Sequence, residues 1–239
     1  MAKKDLNQNT KFEQELISTF EADFSFSEKP QNRFNNLQSK NALEIFNKAE
    51  KLSELKSKIN SIENCNLKDN SKNLILGDGN VNSSIMLIGE TPGKEEDESG
   101  LAFRGDVGTL LKKMLLAIQI KLENVYITYS INFRPPEDRK PSSQEIKRYS
   151  IFLKEHISII NPKILVLMGS TAMEAVTGLN NQISSERGKW KEIILKNKTY
   201  PIMITLSPSY LLRFPENKKH SWEDLKMIRQ KIQNLNIKI

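Results

Sequence analysis

The stretch Ile85-Met86-Leu87-Ile88-Gly89-Glu90-Thr91-Pro92-Gly93 decides the fold. Four consecutive apolar residues closed by a glycine read as a strand covered on both faces, since a half-exposed strand would alternate polar and apolar residues. Two glycines flanking a proline then turn the chain tightly and leave backbone N–H groups free to face a ligand. Outward from this point the pattern recurs. Val125–Ile131, Lys163–Met168 and Ile202–Leu206 read as further strands, and Ile193–Tyr200 contains a turn at Asn197-Lys198. Thr109–Ile120 has helical spacing. Pro141-Ser142-Ser143-Gln144-Glu145 is a capping box opening a helix to about Ile160. Ser170–Val176 forms a helix stopped by Gly178, and Trp222–Leu235 forms the last one. Strands alternating with helices predict an α/β fold, a three-layer αβα sandwich around a mainly parallel, four-stranded central sheet.

Residues 1–70 are more polar and are broken by Ser27-Glu28-Lys29-Pro30. Ala42, Leu43, Ile45, Phe46, Ala49, Leu52, Leu55 and Ile59 recur at helical spacing, which predicts a helical, partly flexible N-terminal extension ahead of an α/β domain at 71–239. A chain of 239 residues, 38% hydrophobic and 27% charged, suits one soluble domain with such an extension. The N-terminus lacks the apolar core of a secretory signal and no run of apolar residues approaches a membrane span, so the expected protein is cytoplasmic and off the membrane. Cys65 is the one cysteine, which excludes an internal disulfide. His156 and His220 are isolated and read as surface or boundary residues, so no metal site is expected. The net charge of +7 lies entirely in 186–239, which holds 12 Lys/Arg against 5 Asp/Glu, while the rest balances at 24 against 24. A cationic C-terminal segment suits a polyanion.

In doubly wound sheets ligands bind beyond the carboxyl ends of the strands, so the residues just after each strand carry the information. After the first comes Gly89-Glu90-Thr91-Pro92-Gly93, then Lys94-Glu95-Glu96-Asp97-Glu98-Ser99-Gly100-Leu101-Ala102-Phe103-Arg104-Gly105. The acidic run reads either as a solvated loop or as part of a site. A strand-end Glu90 needs a partner or a task. After the second strand comes Phe133-Arg134-Pro135-Pro136-Glu137-Asp138-Arg139-Lys140-Pro141, a proline-braced cationic loop. After the last comes Ser207-Pro208-Ser209-Tyr210-Leu211-Leu212-Arg213.

These segments, in this order, resemble the family 4 branch of the uracil-DNA glycosylase superfamily. Its first motif is matched by Gly89-Glu90-Thr91-Pro92-Gly93, Glu96-Asp97, Gly100–Gly105 and Leu110-Leu111. The second is matched by Val125–Thr128, Arg134-Pro135-Pro136, Arg139 and Pro141, and the third by Ser207–Arg213. The resemblance covers about Cys65 to Leu225. It implies a DNA repair hydrolase that flips uracil or another deaminated base out of DNA and cleaves its bond to the sugar. It further implies that Gly89, Glu90, Thr91, Pro92 and Gly93 line the base pocket and that Phe103 stacks on the base, although Phe103 also reads as a core residue. Glu96, or alternatively Glu90 or Asp97, would orient the attacking water. Arg134, Arg139 and Arg213 would hold phosphates, Ser209 would contact DNA, and Tyr210, Leu211, Leu212 and Arg213 would press into the duplex, although the two leucines also read as packing under the last helix. The implied partner is single- or double-stranded DNA carrying the deaminated base, bound by a monomer.

The chain departs from the family at positions that matter. Four cysteines usually hold a four-iron, four-sulfur cluster there, and the aligned positions read Ile62, Cys65, Phe133 and Tyr149, so no cluster is expected. The asparagine that reads uracil is replaced by Tyr129, the histidine that supports charge on the leaving base by Ser207, and another pocket asparagine by Asp138. A phenol cannot offer the paired donor and acceptor of an amide, and a hydroxyl cannot carry positive charge. Two readings therefore stand: a glycosylase with weakened or shifted activity, with Glu90, Glu96 and Ser207 as its catalytic set and Tyr129 and Asp138 in its pocket, and a non-catalytic DNA-binding relative. A nucleotide-binding module is disfavoured by the lack of a Gly-x-x-x-x-Gly-Lys-Ser/Thr loop.

Overall fold

The computed structural model describes residues 33–238, with side chains from residue 45 onward. What the sequence suggests for residues 1–32 lies outside these. From Ala42 onward the chain forms one compact unit. Its sheet has six strands: β1 (Gly77–Gly79), β2 (Ile85–Gly89), β3 (Tyr126–Tyr129), β4 (Ile164–Met168), β5 (Trp190–Leu195) and β6 (Lys198–Thr205), in the order β1-β3-β2-β4-β6-β5. The four central strands are parallel, as expected, and the two edges are antiparallel. Neither edge was expected as part of the sheet: β1 is a three-residue Gly-Asp-Gly piece with no apolar pattern to announce it. The β5–β6 turn falls one residue earlier than the sequence suggests, with Lys196 and Asn197 both left-handed (φ 46° and 64°), the geometry that suits a two-residue hairpin.

Helices cover both faces. On one side lie the Leu52–Ile59 part of α1 (Arg33–Asn60), α2 (Asn66–Asp69), α5 (Ser143–Ile160) and α6 (Ser170–Thr177); on the other lie α4 (Gly105–Ala117) and α9 (Lys218–Asn234). Strand residues divide between the two cores with period two. Met86, Ile88, Leu165, Leu167, Ile202 and Ile204 face the first set, while Leu87, Val166, Met203, Ile127 and Tyr129 face the second. The capping box forms as expected: Ser142 N donates to Glu145 and Glu145 N donates to Ser142 Oγ. The C-terminal caps are Asn161 on α5 and Gly178 on α6, both left-handed. The acidic run is not a loop. It forms α3 (Lys94–Ser99), with Glu96 and Asp97 buried. Two further short helices, α7 (Ile183–Glu186) and α8 (Pro208–Arg213), flank β5 and β6.

His156 is no surface residue. It is 2% exposed, its Nε2 is 2.9 Å from Tyr126 Oη, and burial lowers its pKa to about 3. Another buried polar junction pins α9 to β6: Asp224 accepts from Thr205 Oγ1 at 2.7 Å and from Arg187 Nε at 3.1 Å. Burial raises the Asp224 pKa, opposed by Thr205 and Arg187. Among the described residues no helix is long and apolar enough to cross a membrane.

Candidate active site

The chain visits β3 on one side of β2 and then β4 on the other, so the connections diverge between β2 and β4. A crevice at that switch point is what this topology produces. A cleft of about 710 Å³ opens there, lined by Gly89–Gly93, Glu96, Phe103, Tyr129, Asp138–Pro141, Gly169–Thr171 and Leu206–Tyr210 with Leu212 and Arg213. Nearly all residues nominated from the sequence meet in it. Arg134, Leu211 and the alternative Asp97 do not line it. Gly169–Thr171 and Lys140 were not nominated, although Gly169-Ser170 follows a strand and is therefore marked by the strand-end rule.

Glu90, half-buried at the end of β2, reaches across to the start of α6. Its Oε1 accepts from Thr171 N at 3.1 Å and from Ser170 Oγ at 3.3 Å, a favourable place for a carboxylate. Among the described residues no donor reaches its Oε2. Gly169 makes the contact possible: its φ is +105°, and a Cβ there would lie 2.2 Å from the Glu90 carboxyl carbon.

Glu96 is employed differently. It is buried, Oε2 accepts from Gly93 N at 2.9 Å, and Oε1 accepts from Arg104 N at 2.9 Å and from Tyr129 Oη at 3.2 Å. Asp97 likewise accepts from Lys72 N and Asn73 N through Oδ1. These two acids fasten the turn and its neighbours. Both carboxylate oxygens of Glu96 are thus engaged, whereas Glu90 keeps one oxygen without a donor among the described residues.

Phe103 and Tyr129 stack, with ring centroids 4.7 Å apart and planes 16° from parallel. The phenol also accepts from Phe103 N at 3.0 Å. Burial, with Glu96 beside it, raises the Tyr129 pKa well above the ordinary phenol value. Gly89 backs the pair so closely that a Cβ would sit 2.7 Å from Phe103 Cζ and 2.9 Å from Tyr129 Cδ1. Phe103 is 6% exposed, so neither of its faces is open to a base while Tyr129 stays in place.

At the other wall Ser207 ends the approach from β6 and caps α8, its Oγ accepting from Tyr210 N at 3.3 Å and lying 3.1 Å from Ser209 Oγ. Leu211 is buried rather than directed at a duplex, and the exposed apolar groups here are Leu212 and Phe214, with the Tyr210 ring 4.9 Å from that of Phe214. Two of the three arginines expected to hold phosphates are paired. Arg134 makes two hydrogen bonds to Asp138, and Arg139 makes two to Glu145. The Arg134 pair lowers the Asp138 pKa, and Arg139, aided by Ser142, lowers that of Glu145 to about 2. Asp138 therefore serves Arg134 at the cleft mouth. Arg213 is exposed, and no hydrogen bond or ion pair engages it among the described residues.

The positions where the family carries cluster-binding cysteines do converge, but as a packed interior. Ile62, Cys65, Phe133 and Tyr149 belong to one buried cluster. Cys65 Sγ lies 3.2 Å from Tyr149 Oη, and the Phe133 and Tyr149 rings meet nearly edge-on at 6.3 Å. One thiol among an aliphatic side chain, a phenyl ring and a phenol cannot supply four thiolates, so these residues do not fit an iron–sulfur cluster.

Comparison with known proteins agrees with the geometry. The family profile of the uracil DNA glycosylase superfamily matches residues 76–226. A type-4 uracil-DNA glycosylase of Thermotoga maritima is 38% identical over 154 residues, 64% of this chain and 79% of the relative. One of Sulfurisphaera tokodaii is 34% identical over 75% of this chain and 84% of its own length. One of Archaeoglobus fulgidus is 31% identical over 75% of this chain and 92% of its own. The chain therefore belongs to the uracil-DNA glycosylase superfamily, in its type-4 branch.

Proposed function

We propose that this protein acts as a monomer on DNA, hydrolysing the N-glycosidic bond of uracil or another deaminated base, with activity weakened relative to a pocket that keeps the asparagine and histidine. The observation that carries this reading is the meeting, in one open cleft, of the Glu90 carboxylate, the Gly89–Gly93 turn and the Ser207–Arg213 segment. Glu90 suits the water. Anchored through Oε1, it offers Oε2 to position a water against the sugar and to take its proton as the oxygen bonds to the anomeric carbon. The electron pair of the broken bond passes to the base. Backbone N–H groups of the turn and the Ser207 hydroxyl are the donors at hand for that charge, and neither carries the positive charge of a histidine. Loss of one such donor costs about 2.7–4 kcal/mol of barrier, roughly a hundred- to thousandfold in rate. Leu212 and Phe214 suit the space a flipped base leaves, and Arg213 suits a phosphate.

A second reading, a DNA-binding relative without chemistry, is favoured by one observation, the Phe103–Tyr129 stack at the base slot. One experiment separates the two. The protein is incubated with single- and double-stranded oligonucleotides carrying uracil, hypoxanthine or xanthine, followed by alkaline cleavage. Strand cleavage that disappears in Glu90→Gln supports the hydrolase. DNA binding with no abasic product at high protein concentration supports the second reading.

A further inference from the structure

The Phe103–Tyr129 pair has the form of an aromatic–base stack in which the base has been replaced by a side chain. A flipped pyrimidine needs two things from such a slot: a ring face to replace the stacking it lost, and polar partners for its edge. Tyr129 uses both. Its ring covers Phe103 at 4.7 Å and 16°, and its hydroxyl accepts from the Phe103 N–H while donating to Glu96. The slot cannot hold both rings and a base, because Gly89 backs it so closely that even an added Cβ would lie within 3 Å of either ring. Phe103 itself has a left-handed backbone (φ 50°), uncommon for a bulky residue, and its N–H is tied to the Tyr129 hydroxyl.

Resting on the reading that the cleft receives a base from DNA, we propose that Tyr129 is the resident occupant of the base slot, so that Tyr129 and an extrahelical pyrimidine exclude each other and Tyr129 sets which bases are admitted. The wider cleft extends from the Phe103–Tyr129 pair past Gly169–Thr171 to Lys140 and Arg213, and stays open with Tyr129 in place. Affinity for the DNA backbone is therefore separable from affinity for the base. Admission of a base requires Tyr129 to leave its stack and give up two hydrogen bonds, a handicap of roughly tenfold or more in base affinity.

The test compares binding of two oligonucleotides, one carrying 2′-fluoro-2′-deoxyuridine, whose glycosidic bond resists cleavage, and one carrying a tetrahydrofuran abasic analogue. Wild-type protein is expected to bind the abasic probe at least as tightly as the uracil probe. Tyr129→Ala and Tyr129→Asn should reverse that order and gain about tenfold for the uracil probe, with abasic-probe affinity unchanged. Tyr129→Phe, which keeps the ring and loses only the hydroxyl bonds, should gain less. A wild-type preference for uracil that falls on removal of Tyr129 would overturn the proposal, since Tyr129 would then be a contact to the base. An unchanged preference in Tyr129→Asn, with a normal unfolding midpoint, would overturn it too. If no variant binds DNA, the DNA reading of the cleft fails. Calorimetry with free uracil then decides the slot alone: binding to Tyr129→Ala but not to wild type upholds it, and binding to neither or equally to both rejects it.

Discussion

Two buried tyrosines, at positions where the motif resemblance implies an asparagine and a cluster-binding cysteine, have opposite surroundings. Tyr149, on α5, and Tyr129, at the end of β3, are both buried and both hydrogen-bonded, and burial is the leading cause that raises both phenol pKa values. Tyr149 is enclosed by Cys65, Phe133 and Phe152 inside the packed layer between α1, α5 and the sheet. Tyr129 has Phe103 on one face but borders an open cleft. The same kind of replacement is glue where the surroundings are closed and a stopper where one side is solvent. Side-chain chemistry alone does not tell the two apart; the neighbouring volume does.

The largest expected effect tests that contrast directly. Tyr149→Ala leaves a cavity walled on all sides and should cost about 3–5 kcal/mol in urea unfolding. Tyr129→Ala opens into the cleft, where water can enter, and should cost about 1–3 kcal/mol. Equal losses would break the comparison. The closed layer also holds His156, and this gives a pH signature. Its folded pKa, about 3, lies below the ordinary value near 6.5, so the unfolded chain binds the extra proton. The stabilisation is whole above about pH 6.5 and is lost as pH falls toward 3, with a slope of up to about 1.4 kcal/mol per pH unit. Unfolding at pH 5 and 7 should differ by about 2 kcal/mol from this group, and His156→Gln should remove that difference.

Smaller effects belong to the cleft rim. Glu145, with its folded pKa lowered to about 2 by Arg139 and Ser142, stabilises the start of α5 above about pH 4.5 and loses that contribution as pH falls toward 2. Glu145→Gln should cost about 1 kcal/mol at neutral pH, seen as a lower thermal midpoint, and should flatten the acid limb. It also frees Arg139, so DNA affinity should become more salt-dependent by about one unit of slope. Arg213→Ala should do the reverse, weakening binding severalfold and lowering the slope by about one, with little change in stability. An unchanged slope in both variants would detach the rim from DNA.

Much of this was legible in the residues. Continuous apolar runs such as Ile164–Met168 announce buried parallel strands because both of their faces meet helices. Ser142 and Glu145 announce a helix start because their bonds are local. The strand-end rule found the cleft, since topology fixes where connections diverge. What could not be read is the employment of each polar group. Glu90, Glu96 and Asp97 sit within eight residues of one another, yet one reaches α6, one closes its own turn and one holds the backbone at Lys72 and Asn73. Leu211 and Leu212 are neighbours of equal chemistry, and only the seating of α8 makes the first core and the second rim.

The sequence by itself determined the α/β architecture, because periodicity and turn chemistry act over a few residues and survive any tertiary arrangement, and its motif resemblance pointed to the family and to most residues at the cleft. Only the tertiary structure decided that, among the described residues, Glu90 keeps a free oxygen and Arg134 and Arg139 are paired while Arg213 is not, and that Tyr129 lies flat on Phe103. Those outcomes depend on which groups from distant segments reach bonding distance, and the steep distance dependence of hydrogen bonds and stacking makes them a property of the folded volume.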